Sequence, residues 1–471
     1  MFNVTRPGVN VTASLWPGLF ILKPSRRARH ELFVGLHDNS ATPRSWPPPG
    51  ERVKPSSSFI GFMSSNTIPS GKTQPAKLKL TRDERRASIM LSMLFASRML
   101  GLFLLTPIFA VAALSVPGGD NAAKVGIALG AYGLTQAFLQ IPLGMASDRF
   151  GRRAVIVVGM VLFTAGGIIC ALAQDINWII AGRVVQGLGA VSAAITAWVA
   201  DATRPEVRTR AMAMVGGSIG ISFAASLVLS PVLVGQFGLS GLFWAISLLG
   251  FVCLFIAVVL VPSVPRTEIP IVQARPRDVL RHTGLLRLNF GVFCLHFILM
   301  AMFMVVPGLL SIQRGYDSAS LWVVYLPVIL LSFIFMVPAV FYTETRRVHK
   351  TALELAVVGL AVVLALMPLA IHNFYLLVAL LVGFFIAFNI LEALQPSLVS
   401  RVAPPEYKGL ALGFYNTAQS LGVFAGASLG GVIASQGDVS NVFLFAAVLA
   451  FVWFLTARGF RLAAVEREAG G

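Results

Sequence analysis

The stretch Gly144–Arg153, GMASDRFGRR, lies in a short gap between two long apolar segments. Its acid, Asp148, and its bases Arg149, Arg152 and Arg153 cannot lie in hydrocarbon, where each charge costs several kcal/mol. The stretch therefore predicts a tight turn at a membrane surface, between two helices that cross the membrane.

The composition is that of a membrane protein. Of the 471 residues, 56% are hydrophobic and only 12% are charged, whereas a soluble domain carries about 25% charged residues. The net charge of +17 would suggest a nucleic-acid partner for a soluble chain, but here it indicates basic loops on the cytoplasmic side and no nucleic acid. The cysteines lie in apolar segments without metal-ligand spacing, so neither a metal nor a cofactor is predicted.

Beyond Arg86, apolar runs of about the length that crosses a bilayer as a helix recur along the chain. They predict an all-α, polytopic membrane protein, because lipid offers no partner for free backbone groups. The twelve predicted transmembrane helices are 88–113, 123–146, 154–173, 177–200, 211–235, 241–262, 287–311, 320–342, 351–371, 374–399, 409–434 and 440–459.

The bases are distributed unevenly over the predicted loops. With both termini in the cytoplasm, the outer loops hold only two bases, Lys124 and Arg314. An excess of Lys and Arg marks the cytoplasmic side, so we expect a multi-pass protein of the cell inner (plasma) membrane with both termini inside. The nineteen bases of the inner loops are Arg149, Arg152, Arg153, Arg204, Arg208, Arg210, Arg266, Arg275, Arg277, Arg281, Arg287, Arg346, Arg347, Lys350, Arg401, Lys408, Arg458, Arg461 and Arg467.

Residues 1–85 do not belong to the membrane body. They are rich in Ser, Pro and Arg, a composition typical of a disordered tail, here basic and cytoplasmic. Met63 begins a stretch that reads as an ordinary hydrophilic amino terminus, so residues 1–62 are expected to be a mis-assigned start. The remaining predicted units are a bundle of six helices over 86–262, a cytoplasmic linker over 263–286, a second six-helix bundle over 287–459 and a cytoplasmic tail over 460–471.

The two predicted bundles resemble each other. Helix four exits through Pro205–Arg208 (PEVR) and helix ten through Pro405–Lys408 (PEYK), so the pattern Pro-Glu-x-base recurs at an offset of 200 residues. The loop Glu344–Arg347 (ETRR) is a weaker copy of the charged loop after helix two. Two pseudo-symmetric bundles with a shared central site are what a transporter that rocks between two states requires.

The chain resembles the major facilitator superfamily of secondary transporters over residues 85–458. The pattern G-x-x-x-D-R-x-G-R-R is similar to the loop that this family carries between its second and third helices. More narrowly, the chain resembles the YajR-type group, whose members are regarded as proton-driven drug efflux pumps. The matching stretches are Arg85–Ala87, Ser97–Gly101, Tyr132–Ala137, Leu288–Gly291, Cys294–His296, Phe388–Leu394, Pro396–Leu398 and Tyr407–Gly409.

Two features depart from that group. Its members carry a small soluble domain after the twelfth helix, which we do not expect here because the chain ends at Gly471. In helix five, Ser226 and Ser230 replace glycines of the antiporter pattern before Pro231, which weakens the inference of exchange over symport. Antiport, symport and the direction of transport therefore stay open.

The charged loop is predicted to act as a conformational latch. Asp148 ends helix two on the side where helix eleven begins near Gly409, and a carboxylate at a helix start is stabilised by up to about 2 kcal/mol. Arg152 can reach Asp201 at the foot of helix four, a pairing that the resemblance also implies. The alternative is that the loop only orients the helices during insertion. The predicted latch residues are Gly144, Asp148, Arg149, Gly151, Arg152 and Asp201.

Few ionisable residues lie within the predicted spans, and all four are on helices that line the central cavity in the family: Arg98, Arg183, His296 and Glu392. Charges inside a bundle face a pathway or a partner. Glu392 is the first candidate for proton coupling and His296 the second, because imidazole titrates near neutral pH. The alternatives are a structural ion pair for Glu392 and a hydrogen-bonded core position for His296.

Other polar residues extend this candidate site. Arg98 keeps its proton in practice and is expected to tune a neighbour or to hold an anionic group. Arg183 and Gln186 match the family's second motif, which is associated with proton transfer, and Asn389 shares a helix face with Glu392. Residues on single faces of helices two, seven and eleven predict a substrate cavity, with packing or lipid contact as the alternative. They are Tyr132, Gln136, Gln140, Phe293, Phe297, Tyr415 and Gln419.

The sequence contains no catalytic constellation and no phosphate-binding loop, so neither an enzyme nor an ATP-driven pump is predicted. The favoured function is secondary active transport by alternating access, as proton-coupled efflux of small apolar or cationic compounds. Two alternatives stay open: a proton-coupled carrier of a polar or anionic metabolite, and a membrane sensor on the same fold that transports nothing. The expected partners are a small-molecule substrate, protons and the lipid bilayer, with a monomer as the functional unit.

Overall fold

The computed structural model describes residues 3–6, 9–12, 80–262, 275–315, 318–404 and 407–459. The chain divides into two compact units, one ending at Ala76 and the other beginning at Lys77. In the first unit, strands β1 (Asn3–Arg6) and β2 (Val9–Thr12) pair antiparallel. The predicted disorder of the amino-terminal tail falls mostly outside the described residues, as do the carboxyl-terminal tail and most of the predicted linker.

The described part of the second unit is all-α, as predicted. A short helix, Pro276–Arg281, lies in the predicted linker and immediately precedes α7. The long helices are α1 (Arg82–Phe103), α2 (Ala122–Phe150), α3 (Arg152–Ala171), α4 (Ile176–Gly187 with Ser192–Asp201), α5 (205–237), α6 (239–255), α7 (Thr283–Arg314), α8 (Trp322–Arg346), α9 (His349–Leu366), α10 (Phe374–Val402), α11 (Lys408–Ala434) and α12 (Ser440–Arg458).

Within the described residues, ten helical segments are long and apolar enough to cross a membrane. One of them, Glu206–Leu260, contains both α5 and α6, which are separated at Gly238, where φ is 66°. The 29-residue helix α2 accounts for the remaining predicted span. The polytopic, all-α fold predicted from the apolar runs is therefore confirmed.

Two predicted helices are interrupted. The first was expected to run from 88 to 113, but α1 ends at Phe103 and a turn before Phe109–Ala112 contains Pro107, which has no backbone N–H to continue a helix. The fourth was expected to be continuous, but it breaks after Gly187, where Gly189 approaches the backbone of Gly159 on α3. Both interruptions occur where small or cyclic residues disrupt regular helix geometry.

The helix ends that carry most of the loop bases lie together. Arg204, just before α5, forms an ion pair with Glu84 at the start of α1, with Nε and Oε1 2.8 Å apart. Arg152, at the start of α3, pairs with Asp201 at the end of α4. We call this side of the molecule the basic face and the other side the opposite face.

The two six-helix halves touch closely toward the opposite face. A Cβ added to Gly126 on α2 would collide with the backbone of Ala427 on α11, and one added to Gly133 would collide with the carbonyl of Ser420. The Tyr325 hydroxyl on α8 also lies 3.4 Å from the carbonyl oxygen of Pro107 in the amino-terminal half. Such backbone approach between helices requires small residues, so this side is sealed.

The same helices diverge toward the basic face. A Cβ added to Gly413 on α11 would meet α2 only at Ile141, 3.8 Å away, and one added to Gly409 would meet nothing within 4 Å. On α5, added Cβ atoms at Gly216, Gly217 and Gly220 would also meet nothing within 4 Å. Within the described residues, the space between the halves therefore opens toward the basic face.

Candidate functional site

The predicted latch residues form a network within the amino-terminal half. Arg152 contacts Asp148 through Nη1 at 2.5 Å and Asp201 through Nε at 2.9 Å. The same Nη1 donates to Ser147 Oγ at 2.7 Å. Gly151, with φ of 95°, makes the sharp turn that places α3 beside the end of α2. The contact between Arg152 and Asp201 is thus the one that the sequence predicts.

Among the described residues, Asp148 makes no contact with the start of α11, where it was expected. The ion pair with Arg152 holds Asp148, whose side chain is half exposed, and a Cβ added to Gly409 at the start of α11 would meet nothing within 4 Å. Arg149 is exposed and lies over the Phe150 ring, and Gly144 approaches Ala193 of α4. Because the halves are parted on the basic face, the acid cannot reach the helix start that was expected to receive it.

Sequence reasoning missed a second ion pair on the basic face of this half. The Glu84 side chain accepts from the backbone N–H of Arg204 at 3.1 Å and from its guanidinium, and it also caps α1 with Thr81. The hydrogen bond that the Arg204 guanidinium donates to the Glu84 carboxylate raises the pKa of Arg204, because it stabilises the charged guanidinium. The capping pattern Thr-x-x-Glu that begins at Thr81 was the signal for the position of Glu84.

The carboxyl-terminal half has a related network on the same face. Glu344, at the end of α8, lies 2.7 Å from Arg401 Nη2 at the end of α10 and 3.3 Å from His349 Nε2 at the start of α9. His349 is buried, with 1% of its side chain exposed. The sequence indicated Glu344 as part of a weaker copy of the charged loop, but no pattern in it indicated a role for His349.

Two fully buried arginines share one tyrosine in the amino-terminal half. Arg98 donates from Nη2 to the Tyr132 hydroxyl and from Nη1 to Ser192 Oγ, each at 2.6 Å. Arg183 lies 5.0 Å from the centre of the Tyr132 ring and donates to Gln186 Oε1 at 2.6 Å. Within the described residues, neither arginine is paired with a carboxylate. Their charges are dispersed over hydroxyl, carbonyl and aromatic groups instead.

The predicted proton-coupling residues meet in the carboxyl-terminal half. His296 Nε2 on α7 lies 3.7 Å from Glu392 Oε2 on α10 and 2.6 Å from the amide nitrogen of Gln419 on α11. His296 Nδ1 lies 3.1 Å from the carbonyl oxygen of Val292. A Gln419 amide that donates to Nε2, together with the contact of Nδ1 with the Val292 carbonyl, matches the tautomer of the ring that carries its proton on Nδ1.

The neighbours of this pair differ in exposure. The Tyr415 side chain is buried, its hydroxyl has no hydrogen-bond partner in the described part of the chain, and it interacts electrostatically with Glu392. About a third of the Glu392 side chain is exposed, whereas only 8% of the His296 side chain is. Asn389, one turn before Glu392, donates to Ser332 Oγ on α8 at 3.0 Å. Glu392 is therefore the more exposed member of the titratable pair, although its Oε2, the oxygen nearest His296, is buried.

Four of the predicted cavity residues do not line open space in this conformation. The Tyr132 hydroxyl accepts a hydrogen bond from Arg98. Gln136 and Gln140, one and two turns further along α2, are buried. Phe297 is buried against Phe445 of α12, with ring centres 5.7 Å apart, so it packs toward the periphery. The expectation that Phe297 lines the cavity is wrong for this conformation, because it lies one position round the helix from His296. The remaining member on α7, Phe293, is partly buried and contacts Phe297.

An aromatic cluster that sequence reasoning missed lies next to the titratable pair. Phe223 of α5 contacts Phe385 and Phe388 of α10 at ring-centre distances of 6.3 and 6.1 Å. Phe388 also stands edge-on to the His296 ring at 6.1 Å. These contacts join the two halves between the opened space and the opposite face. Only the tertiary arrangement brings α5 and α10 together, so no local pattern could reveal them.

The comparisons with known proteins agree with this geometry. The model of the Major Facilitator Superfamily matches residues 87–426 and 345–469. The inner membrane transport protein YajR of Escherichia coli is 42% identical over 383 residues, which are 80% of this chain and 84% of that protein. The multidrug resistance protein MdtL of the same species is 27% identical over 158 residues, 33% of this chain and 40% of MdtL.

Solved structures show the same fold at low sequence identity. The human organic anion transporter MFSD10 superposes with a TM-score of 0.61 at 18% identity, covering 80% of this chain and all of that one. A bacterial homologue of the lysosomal transporter Spinster, in its inward-facing and unoccupied conformation, gives 0.61 at 14% identity over 81% and 98% of the two chains. These relatives are transporters rather than enzymes, and this chain is a transporter that belongs to the Major Facilitator Superfamily.

Proposed function

We propose that this protein exports small apolar or cationic compounds in exchange for protons, by alternating access. The single observation that carries the proposal is the placement of His296 and Glu392. The pair lies at the inner end of the space that opens to the basic face, directly beside the aromatic contacts that join the halves. A proton bound there changes the charge next to the contacts that join the two halves.

We place the basic face in the cytoplasm and the protein in the inner membrane, with both termini inside and a monomer as the working unit. The excess of bases on that face supports the orientation, and the name of the Escherichia coli relative supports the membrane. In this orientation the conformation described here is open to the inside. It would receive cargo from the cytoplasm or from the inner leaflet.

The chemistry of the step follows from the hydrogen bonds of His296. A proton that arrives at Nε2 displaces the Gln419 amide N–H, and the amide must turn to present its oxygen. The resulting imidazolium then attracts the carboxylate of Glu392, 3.7 Å away, which draws α7 and α10 together. Release of the proton restores the neutral arrangement, so proton occupancy and helix position are linked.

The aromatic residues beside this pair favour apolar or cationic cargo. Phe385, Phe388 and Phe223 are buried against one another in this conformation, and their rings attract cations and apolar groups alike once the helices that carry them move apart. The alternative of an anionic metabolite held by Arg98 is less well supported, since that guanidinium is fully buried and already bonded to Tyr132 and Ser192. The name of MdtL, a multidrug resistance protein, also points to export of varied compounds.

The test uses purified protein in liposomes with an acidic lumen and a fluorescent lipophilic cation outside. Wild type is expected to accumulate the dye as protons leave, and Glu392→Gln and His296→Gln are expected to abolish accumulation. Glu354→Gln is the matched control, because Glu354 pairs with Lys350 on α9 outside the cluster. Gradient-driven accumulation that survives in the double variant would overturn the coupling scheme. Failure of wild type to move any member of a panel of cationic, apolar and anionic solutes would favour a non-transporting sensor.

A further inference from the structure

The charged networks on the basic face of the two halves occupy equivalent places in the two repeats. Asp148 and Glu344 each lie two residues before the end of a helix, α2 and α8. Each of those helices is followed by a turn with positive φ, at Gly151 and Arg347. Each acid is contacted by the first residue of the next helix, which is Arg152 in one half and His349 in the other.

The third member of each network has the opposite charge in the two halves. Arg152 bridges to Asp201 at the end of α4, whereas Arg401, at the equivalent end of α10, binds Glu344 directly. The repeat therefore keeps a three-residue network that ties three helix ends together. The central member changes from the cation Arg152 to the acid Glu344, and the first residue of the following helix changes from an arginine, which is always charged, to a histidine, which exchanges its proton between about pH 5 and 8.

His349 lies among groups of both charges. Its Nε2 and the guanidinium of Arg401 contact the same carboxylate oxygen of Glu344, at 3.3 and 2.7 Å. Within the described residues, neither ring nitrogen makes a hydrogen bond of good geometry, although Nε2 lies 3.3 Å from Glu344 Oε2. In the part of the chain that the structure describes, the charged groups near this end of the elements around it are Glu344 on α8, Arg401 on α10, Arg346 and Arg347 at the turn, Lys350 and Glu354 on α9, and Arg458 at the end of α12, which packs against α9.

We propose that His349 is a proton sensor on the basic face. Its imidazolium adds a second cation to the contact between Arg401 and Glu344 and keeps this acid within the carboxyl-terminal half, whereas a neutral ring leaves Arg401 alone to hold it. By the repeat, Glu344 should move toward the start of α5 as Asp148 moves toward the start of α11 when the basic face closes. A protonated His349 retains the acid in the arrangement seen here. Acidification on this face therefore stabilises the conformation that is open to it, whichever solute the protein carries.

If the protein exports compounds in exchange for protons, as proposed above, its own proton uptake would slow its transport cycle. As the compartment on the basic face becomes acidic, more molecules stay open to that side and fewer complete the cycle. The amino-terminal network cannot respond in this way, because Arg152 keeps its charge throughout. The sensor lies apart from the His296–Glu392 pair, so the two can be altered separately.

The test measures the separation of the halves by double electron–electron resonance. Met145→Cys and Phe341→Cys place spin labels at repeat-related sites on α2 and α8 that are 66% and 70% exposed. The native cysteines, Cys170, Cys253 and Cys294, are buried. In wild type, the population with the long distance is expected to rise as the pH falls through the imidazole range of about 8 to 5.

The variants separate this sensor from other titrating groups. His349→Arg is expected to keep the long-distance population high at every pH, and His349→Gln to keep it low. The same distance measurements are repeated in protein that also carries Glu392→Gln and His296→Gln, so that any pH response of that pair is absent. His372→Gln, an exposed imidazole in the turn between α9 and α10, is the matched control. If both His349 variants titrate with the midpoint and amplitude of wild type, the proposal is overturned.

A stability measurement covers the case in which a variant folds poorly. The melting temperatures of wild type, His349→Gln, Glu344→Gln and the double variant form a cycle at each pH. We expect the two single changes to be non-additive at low pH and additive at high pH, since only the imidazolium binds the carboxylate. The equivalent cycle of Arg152→Gln and Asp201→Asn should show the same non-additivity at both pH values. Non-additivity of the His349 cycle that does not change with pH would also reject the sensor.

Discussion

His296 and Gln419 approach each other to 2.6 Å through the imidazole Nε2 and the side-chain amide nitrogen, which leaves no room for a proton on both atoms. This contact matches the tautomer of the imidazole that carries its proton on Nδ1, next to the carbonyl oxygen of Val292. Protonation of His296 must rotate the amide or separate α7 from α11. Gln419 therefore couples the position of α11 to the protonation of His296 on α7.

Replacing Gln419 with Glu should raise the proton affinity of His296, because a carboxylate stabilises an adjacent imidazolium. We expect the pH profile of transport to shift toward higher pH. Gln419→Met keeps the size of the side chain without charge and should move the profile much less. The measurement is dye transport in liposomes over a range of pH at constant gradient. Equal profiles for the Glu and Met variants would contradict this role of Gln419.

Removing the carboxylate of Asp201 should impair switching more than it lowers stability. The Arg152–Asp201 pair is only partly buried, and such pairs stabilise a fold by about 1 kcal/mol or less. Asp201→Asn is thus expected to change the melting temperature little but to reduce the transport rate severalfold, because α3 and α4 no longer move together. Glu354→Gln, which removes an ion pair on α9, serves as the control. A normal transport rate in Asp201→Asn would exclude a switching role for the network.

Enlarging Gly126 should prevent closure of the opposite face. Any side chain at this position meets the backbone of Ala427, which cannot yield without separating α2 from α11. We expect Gly126→Val to increase the labelling of a cysteine placed deep in the cavity by a membrane-impermeant thiol reagent added on the opposite face. Gly216→Val is the control, because the space around Gly216 is open. Unchanged labelling in Gly126→Val would show that this contact does not seal the protein.

Truncating Phe223 should open a leak between the halves. Its ring is the part of α5 that contacts both Phe385 and Phe388, so Phe223→Ala leaves a gap next to His296. We expect faster passive collapse of a proton gradient in liposomes that contain this variant. Phe251→Ala, which removes an exposed ring of α6, is the control. Proton permeability equal to that of the control would show that the ring is not part of a seal.

The sequence predicted best what the membrane itself imposes. Spans of apolar residues must become helices in lipid, and charges must collect at their ends, so the twelve segments and the Arg152–Asp201 contact follow from local pattern. The sequence also identified His296 and Glu392 as titratable groups within the spans, but it did not predict that they pair.

Features that depend on helix rotation and on contact between the halves could not be predicted in this way. Phe297 and His296 are neighbours in sequence, yet one packs against α12 and the other faces α10. A stripe of apolar residues on a helix that is apolar on all sides does not reveal which face is central. The aromatic contact of Phe223 and the burial of His349 likewise depend on tertiary packing between distant segments.

Arg98 and Arg183 give the amino-terminal half two fixed positive charges inside the membrane, and in the described part of the chain their hydrogen-bond partners are neutral. An elementary charge carried fully across the bilayer changes its energy by about 2.3 kcal/mol for each 100 mV. Any rocking of this half along the membrane normal therefore moves charge through the electric field. The conformational equilibrium should consequently respond to voltage as well as to acidity, and a voltage step should evoke a transient current even without cargo.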